Sequence, residues 1–265
     1  MTRVADLMSS PIVSCRSDVS LGEVAALLAE RRIHGVVVLD ESGRMAGVVA
    51  DTDLLAGEWL ARDQESLDTM RSMTAGELMT MPPVTIDADA PIDAAAARLR
   101  DERLSRLIVT KRELPVGVLA TSDLVRYLGH GHLGRGIVAD VMSHGLVACR
   151  EGATLRQAAR VMTERHVRAI VVVAANGNPL GVVTGTDLLD FLGADVDAVT
   201  VAHLMHVPIA IDPDATLREA ADLMLEHAIH RLIVVDPGAP NAVPLGVVST
   251  TDIVAEMAEP GSVWR

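Results

Sequence analysis

The sequence has very few aromatic residues. Its 265 residues include one Phe, one Tyr and two Trp, although 49% of the chain is hydrophobic. The core must therefore be built from Val, Leu, Ile, Ala and Met, which argues against an aromatic-rich β-sandwich. Aliphatic cores of this kind are typical of buried strands covered by Ala-rich helices, so the composition predicts an α/β fold.

Long apolar runs are also missing. No stretch approaches the roughly 18 uncharged apolar residues that a membrane-spanning helix needs. The N-terminal residues MTRVADLMSSPIVS lack the continuous apolar region of a signal peptide. We therefore expect a soluble cytoplasmic protein that has no membrane partner.

Positive charge is scarce, because 23 Lys and Arg residues face 36 Asp and Glu residues and leave a net charge of −13. This balance argues against a nucleic-acid partner. Lys111 is the only lysine, so a bound anion would need Arg or His side chains placed at its site. Two cysteines, Cys15 and Cys149, cannot form a disulfide framework, and we interpret both as buried thiols.

One unit occurs four times in the chain. Each copy opens with a Leu-Met or Val-Met pair and later carries a Gly-initiated apolar phrase that ends in Asp. The pairs end at Met8, Met79, Met142 and Met205. The phrases read GVVADTDLL, GVLATSDLV, GVVTGTDLL and GVVSTTDIV, with their aspartates at Asp53, Asp123, Asp187 and Asp252. Pair and phrase keep nearly the same distance in every copy, so the repeat is genuine.

Each copy predicts the order strand, helix, strand, strand, helix. Capping boxes mark the first helix in three copies, as SLGE from Ser20, TLRQ from Thr154 and TLRE from Thr216. The second copy has Pro91 at the predicted first helical position instead. The predicted repeats 1 to 4 span 4–59, 75–129, 138–193 and 201–258, and the linkers lie at about 57–74, 129–137 and 193–200.

Hydroxyl side chains surround the aspartate of each phrase. The residue directly before it carries a hydroxyl in every copy and is predicted to cap the helix that follows: Thr52, Ser122, Thr186 and Thr251. A second hydroxyl, three residues before the aspartate, occurs only as Thr184 and Ser249, whereas Ala50 and Ala120 take its place in the first two copies. Capping does not require this second hydroxyl, so we interpret it as part of a binding site.

The apolar-Met pair and the Gly-h-h-Ser/Thr-x-x-Asp phrase, four times at fixed distance, resemble those of CBS domains, the family named after cystathionine β-synthase. The resemblance covers nearly the whole chain. It implies four βαββα repeats, in which repeats 1 and 2, and repeats 3 and 4, pair into two tandem Bateman modules. It also implies an adenosine-containing ligand between paired repeats.

Residue roles follow from this resemblance. The implied ribose-binding residues are Asp53, Asp123, Asp187 and Asp252, since a carboxylate has two oxygens for two adjacent hydroxyls. The implied phosphate-binding residues are Thr184, Ser249, Arg106, Arg168, Arg231 and His230. His230 and Arg231 resemble the His-Arg-Leu pattern of the gamma subunit of AMP-activated protein kinase, in which the arginine contacts phosphate. The adenine is expected at backbone groups around Val13, Val84, Val147 and Ile209.

We therefore expect a regulatory protein that binds AMP, ADP, ATP or an S-adenosylmethionine-like ligand. It is expected to act through self-association, as in a homodimer, or through an unidentified protein partner. The 138–258 half is expected to bind more tightly than the 4–129 half. No required cofactor, metal site or enzymatic activity is predicted, because no nucleophile or acid–base pair recurs. The alternative is a structural or interaction scaffold with vestigial pockets, which Ala50, Ala120 and Gly35 favour in the first half.

Overall fold

The computed structural model describes residues 2–54, 64–129, 136–189, 191, 195–236, 238 and 244–258. Within these residues the α/β class and the order strand, helix, strand, strand, helix are confirmed for the four repeats. In the first repeat the last helix is described for residues 51–54 only. The predicted repeat ends at 59 and 193 lie outside the described residues.

Each repeat contains a small sheet with one central strand between two others. The first strand runs parallel to the central strand and the third runs antiparallel to it. The first strands are Ser14–Arg16, Thr85–Asp87, Ala148–Arg150 and Ala210–Ile211. The central strands are Gly35–Leu39, Arg106–Lys111, Ala169–Val173 and Arg231–Val235. The third strands are Met45–Ala50, Leu114–Ala120, Pro179–Thr184 and Pro244–Ser249. Because the central strands are buried, they consist largely of Val, Ile and Leu.

The long helix of each repeat follows its first strand. These helices are Leu21–Arg31, Ile92–Asp101, Leu155–Arg165 and Leu217–Glu226. The capping boxes predicted at Ser20, Thr154 and Thr216 are confirmed, since each hydroxyl accepts the amide three residues later. The prediction for Pro91 is wrong by one residue, because Pro91 is the extended residue that precedes the helix.

A further helix, Gln64–Ser72, lies within the predicted polar linker 57–74. The carbonyl oxygen of Met73, just after it, accepts a hydrogen bond from the Leu21 amide. Met70 and Met73 pack against the core formed by repeats 1 and 3. The segment is therefore a short amphipathic helix whose apolar side is too small to stand out in the sequence.

The opening segment of each repeat lies on the sheet of another repeat. These segments contain the short helical turns Val4–Asp6, Ala75–Leu78, Val138–Val141 and Val201–His203. The residue directly after the Met of each apolar-Met pair forms a β-bridge with a third strand. The four bridges join Ser9 to Val118, Thr80 to Val48, Ser143 to Val247, and His206 to Val182. Repeats 1 and 2 thus exchange their opening segments, and so do repeats 3 and 4.

This exchange explains the glycine that begins each phrase. A Cβ on Gly47 or Gly181 would lie 2.7–2.8 Å from the side chain of Met79 or Met205, respectively. A Cβ on Gly117 would lie 2.7 Å from the carbonyl oxygen of Ser9. The glycine is required because the exchanged segment crosses it without room for a side chain. In three of the four copies the two landmarks of the sequence repeat, Met and Gly, therefore lie against each other, whereas Gly246 is crossed by the backbone of Ser143.

Two compact units divide the chain, and each draws on both halves of the sequence. The unit that we call the 2–4 unit contains Met1–Ile12, Val84–Leu146 and Ile209–Arg265. The 1–3 unit contains Val13–Pro83 and Val147–Pro208. Buried alanines on the long helices contribute to each core, including Ala95, Ala96, Ala220 and Ala221 in the 2–4 unit. The pairing of repeats 1 with 2 and 3 with 4 into modules stays a prediction.

Candidate functional site

Each candidate site lies at the corner where a third strand ends and the short helix begins. These helices start at residues 51, 121, 185 and 250, so the aspartate of each phrase is the third helical residue. In every copy Oδ2 of the aspartate accepts the backbone amide of the residue three positions earlier, at 2.7–2.8 Å. All four aspartates therefore fasten the start of their own helix.

The predicted positions of the helix caps are wrong. The helices begin earlier than the sequence suggested, so the hydroxyl directly before each aspartate lies inside the first turn. Thr184 Oγ1 and Ser249 Oγ instead donate to Oδ2 of Asp187 and Asp252, both at 2.7 Å. The second hydroxyl, which we interpreted as unnecessary for capping, is thus part of the cap. Whether it also contacts a ligand stays a prediction.

The other carboxylate oxygen, Oδ1, distinguishes the four corners. Asp123 Oδ1 accepts from Arg126 Nη1 at 3.2 Å, and Asp187 Oδ1 lies 2.9 Å from His206 Nε2. Within the described part of the chain, Oδ1 of Asp53 and Oδ1 of Asp252 have no hydrogen-bond partner. The corners of Asp53 and Asp252 therefore keep one carboxylate oxygen available for a hydrogen-bond donor from outside.

Burial raises the pKa of Asp252. The hydrogen bonds from Ser249 and the positive charge of Arg231 lower this pKa, but they do not cancel the effect of burial. Arg231 is therefore close enough to Asp252 to favour its ionised form. Burial also raises the pKa of Asp123, although the Ala120 amide and Arg126 oppose the shift. The corner of Asp252 thus combines an available oxygen with a nearby guanidinium.

The corner of Asp53 has a different charge environment. Burial raises the pKa of Asp53, the Ala50 amide lowers it, the charge of Asp51 raises it, and the charge of Arg168 lowers it. Arg168, predicted as a phosphate-binding residue of repeat 3, therefore acts on the aspartate of repeat 1. The corner of Asp53 therefore combines a guanidinium with a second carboxylate, and that carboxylate opposes an anionic ligand.

Sequence reasoning missed the position two residues before each aspartate. In the 2–4 unit, the buried Thr121 and Thr250 hydroxyls lie 2.9 Å apart and link the two repeats. In the 1–3 unit this position holds Asp51, whose Oδ2 lies 2.8 Å from His34 Nδ1. The same His34 nitrogen lies 3.1 Å from Thr186 Oγ1 of repeat 3. The available signal was a polar residue at this position in three of the four copies, since only repeat 3 has a glycine, Gly185, there.

The remaining predicted residues lie on the strands. Arg106 begins its central strand, and the His230 carbonyl accepts the Thr250 amide next to such a strand. The predicted base-contacting residues use their carbonyl oxygens to accept central-strand amides, and these residues are Val13, Val84, Val147 and Ile209. Reading of an adenine by these segments would therefore rest largely on other backbone groups.

Burial raises the pKa of the Cys149 thiol to about 11 and also raises that of Cys15. Both thiols pack against the core of the 1–3 unit but are only half-buried, so the interpretation as fully buried cysteines holds in part. Among the described residues, no group of three or more His, Cys, Asp or Glu side chains is arranged to hold a metal ion. None of the described helices is long and apolar enough to span a membrane.

The family model described as "CBS domain" matches residues 4–58, 75–130, 138–194 and 201–259. The fold is similar to that of protein MJ1225 from Methanocaldococcus jannaschii, with a TM-score of 0.85 at 19% identity over 96% of this chain and 99% of that one. An uncharacterized conserved protein from Pyrococcus horikoshii gives a TM-score of 0.67 at 18% identity over 97% and 100% of the two chains.

A curated relative, L-aspartate semialdehyde sulfurtransferase of Methanocaldococcus jannaschii, is 25% identical over 130 residues, which are 49% of this chain and 24% of that protein. The chain spans only 24–36% of the length of the first three curated relatives that it matches. The similarity to these relatives is therefore confined to a part of each of them.

Proposed function

The chain belongs to the CBS domain family, with four copies of the domain, and from this premise we propose that it is a regulatory protein that binds adenosine-type ligands. AMP, ADP, ATP and S-adenosylmethionine-like molecules are the candidate ligands. The adenine nucleotide acts as a regulatory ligand, not as a cofactor of a reaction. Occupancy changes self-association or the binding of a protein partner.

The corner of Asp252 is the observation that carries this proposal. Oδ2 is held by the amide and hydroxyl of Ser249, which fixes the orientation of the carboxylate. Oδ1 can then accept a ribose hydroxyl, and the positive charge of Arg231, which acts on Asp252, would favour a phosphate bound beside it. A hydroxyl donates only one proton, so Ser249 would have to release Asp252 before donating to phosphate. We therefore assign the phosphate chiefly to Arg231.

The four corners differ in how readily they accept such a ligand. Asp123 already accepts from Arg126, and Asp187 is already paired with His206. Asp53 has the carboxylate of Asp51 beside it. We therefore propose Asp252 as the primary site. This ranking refines the expectation that the 138–258 half binds more tightly, which must be tested in the full chain because both compact units contain parts of each half.

The first test asks which small molecules accompany the protein. Mass spectrometry of the molecules released from purified, freshly denatured protein should detect an adenosine derivative. Thermal-shift measurements with AMP, ATP and S-adenosylmethionine should then identify a stabilising ligand. A ligand at a hundredfold excess over its Kd stabilises the folded state by about 2.7 kcal/mol, enough for a clear shift in Tm.

Asp252→Asn provides the site-specific test. The substitution removes the charge and is expected to reduce the ligand-induced shift in Tm strongly. The control is Asp214→Asn, which changes an exposed aspartate of the same repeat outside the corner and should leave the shift unchanged. Equal ligand responses of both variants and the wild-type protein would contradict the assignment to Asp252.

A scaffold function is the second candidate. It is favoured by the hydrogen bonds through which all four aspartates fasten their own helices, since these give each aspartate a structural role without any ligand. If no adenosine compound is released and none raises the Tm, the scaffold is the better description. The pockets would then be vestigial, and Asp252→Asn would have no ligand response to remove.

A further inference from the structure

The residue after Met in each exchanged segment occupies one equivalent position in the four repeats. Its backbone pairs with the third strand that leads to a phrase aspartate. Three of these residues have small hydroxyl side chains, namely Ser9, Thr80 and Ser143, and the fourth is His206. Only one of the four corners therefore has an imidazole beside its aspartate from this direction.

His206 reaches the oxygen that a ligand would need. Its Nε2 lies 2.9 Å from Oδ1 of Asp187, while Oδ2 of the same carboxylate accepts from the amide and hydroxyl of Thr184. Both oxygens of Asp187 are therefore occupied. The neighbouring His203 does not share this contact, because its Nδ1 lies 3.1 Å from Thr200 Oγ1.

The pair can open without a change in the backbone. His206 exchanges two hydrogen bonds of 2.9 Å with Val182 through its main chain, so the segment stays in place when the side chain rotates. The His206 side chain is 71% exposed and that of Asp187 is 18% exposed. A single hydrogen bond from a largely exposed side chain competes with water, so a ligand hydroxyl can displace the imidazole.

We propose that His206 sets the affinity of the Asp187 site by occupying the carboxylate oxygen that a ribose hydroxyl would bind. This inference rests on the proposed function. It deepens that function, because the His206 contact distinguishes the Asp187 site from the Asp252 site, which has the same hydroxyl–aspartate cap. The Asp187 site then fills at higher ligand concentrations, and the protein responds over a wider concentration range than a single site would allow.

The test uses the full chain and adenosine as the probe. Methionine methyl groups are isotopically labelled, and the Met205 methyl reports binding, because Met205 precedes His206 and its side chain lies over Gly181. His206→Ser installs the side chain found at Ser143. We expect this variant to bind adenosine at the Met205 site about two- to fivefold more tightly, as expected when one competing hydrogen bond is removed. The matched control His203→Ser should leave the affinity unchanged.

The contact itself is tested without ligand. Asp187→Asn should shift the imidazole NMR resonances of His206 and leave those of His203 in place. If the His206 resonances do not respond, the inference fails whatever the ligand does. Unchanged or weaker adenosine binding by His206→Ser, with binding intact in the wild-type protein, would overturn the role of His206 alone. No adenosine binding by either protein, in NMR and calorimetry, would overturn the proposed function and this role with it.

Discussion

Asp252 uses its two carboxylate oxygens for different purposes. Oδ2 fastens the start of a helix, while Oδ1 remains available. The structural task accounts for an acceptor at this position, but it does not require a charge, because Asn would also accept the amide of Ser249. The half-buried charge of Asp252 is thus the feature that a ligand-binding role explains better than a structural role does.

The raised pKa of Asp252 predicts a pH dependence. The native protein keeps the proton of this carboxyl at pH values where the unfolded chain has lost it. The contribution of Asp252 to stability is therefore full below the ordinary pKa near 3.8, is lost as pH rises through the raised pKa, and is constant above it. A ligand that donates hydrogen bonds to the ionised carboxylate should bind more tightly as the pH rises through the raised pKa of Asp252.

The measurement compares wild-type protein with Asp252→Asn between about pH 4 and pH 7. Denaturant unfolding without ligand and calorimetry with ligand are recorded at each pH. The variant should show a flatter profile in unfolding free energy, with the remaining slope due to other groups such as Asp53 and Asp123, whose pKa values burial also raises. Identical pH profiles of the two proteins would contradict the assignment.

At the scale of single elements, the start of the last helix makes a specific prediction. Ser249→Ala removes the hydroxyl that donates to Asp252 but keeps the amide hydrogen bond, as in the repeats that have Ala50 and Ala120. We expect a loss of roughly 0.5–1 kcal/mol in unfolding free energy, the lower part of the range for helix caps.

Thr251→Ala is the matched control for Ser249→Ala. Thr251 lies inside the first turn and is exposed, so its removal should change the unfolding free energy by less than about 0.5 kcal/mol. Urea titration of both variants gives the comparison. A larger loss of unfolding free energy in Thr251→Ala than in Ser249→Ala would indicate that Thr251 caps the helix, as the sequence alone predicted.

The crossing of an exchanged segment over glycine gives a second prediction. In Gly246→Ala the new methyl would collide with the backbone carbonyl of Ser143, which cannot move as a side chain can. We expect a destabilisation of about 1–3 kcal/mol, as for overpacked cores. Gly152→Ala is the control, because no atom lies within 4 Å of the added Cβ. Equal urea midpoints for Gly246→Ala, Gly152→Ala and the wild-type protein would show that the segment at Ser143 shifts without loss of unfolding free energy.

The elements themselves were largely predictable from the sequence. The order of strands and helices follows from apolar periodicity, and the capping boxes at Ser20, Thr154 and Thr216 are local patterns that no distant contact overrides. The cap of the last helix was predicted at Thr251, whereas the structure has it at Ser249. The sequence has hydroxyl residues on both sides of the helix start and does not show which of them is the cap. The partner of His206 was not predictable, since it is set by a strand pairing between different repeats.

The candidate site was only partly predictable. The phrase identified the four aspartates, and Arg231 does lie near Asp252. The electrostatic action of Arg168 on Asp53 and the packing of Thr121 against Thr250 depend on contacts between repeats that are far apart in the chain. Patterns within a single repeat carry no information on such contacts.

At the scale of the whole molecule, the two compact units predict how fragments behave. Residues 1–136 contain the repeat-1 and repeat-2 residues of each core but none of the core residues of repeats 3 and 4. The buried side chains of Leu99 and Leu124 would lose their repeat-4 neighbours and become partly exposed. We therefore expect this fragment to self-associate or precipitate, because an exposed apolar face of this size favours association.

Sedimentation velocity of the fragment 1–136, alone and mixed with 137–265, tests this prediction. The mixture should form a one-to-one complex with a higher Tm than either fragment. The full chain at equal concentration is the control. A monomeric 1–136 fragment as stable as the full chain would mean that the cores shared between repeats contribute little to stability.

The reciprocal exchange of opening segments bears on how such a protein can arise. A solitary repeat would place its Met-containing segment on no sheet and leave the groove above its own glycine uncovered. Duplication of one repeat alone would therefore add a repeat whose opening segment has no sheet to pair with and whose own sheet lacks an opening segment. The smallest unit that satisfies all of these pairings is two repeats. We therefore expect genes of this architecture to lengthen by duplication of repeat pairs.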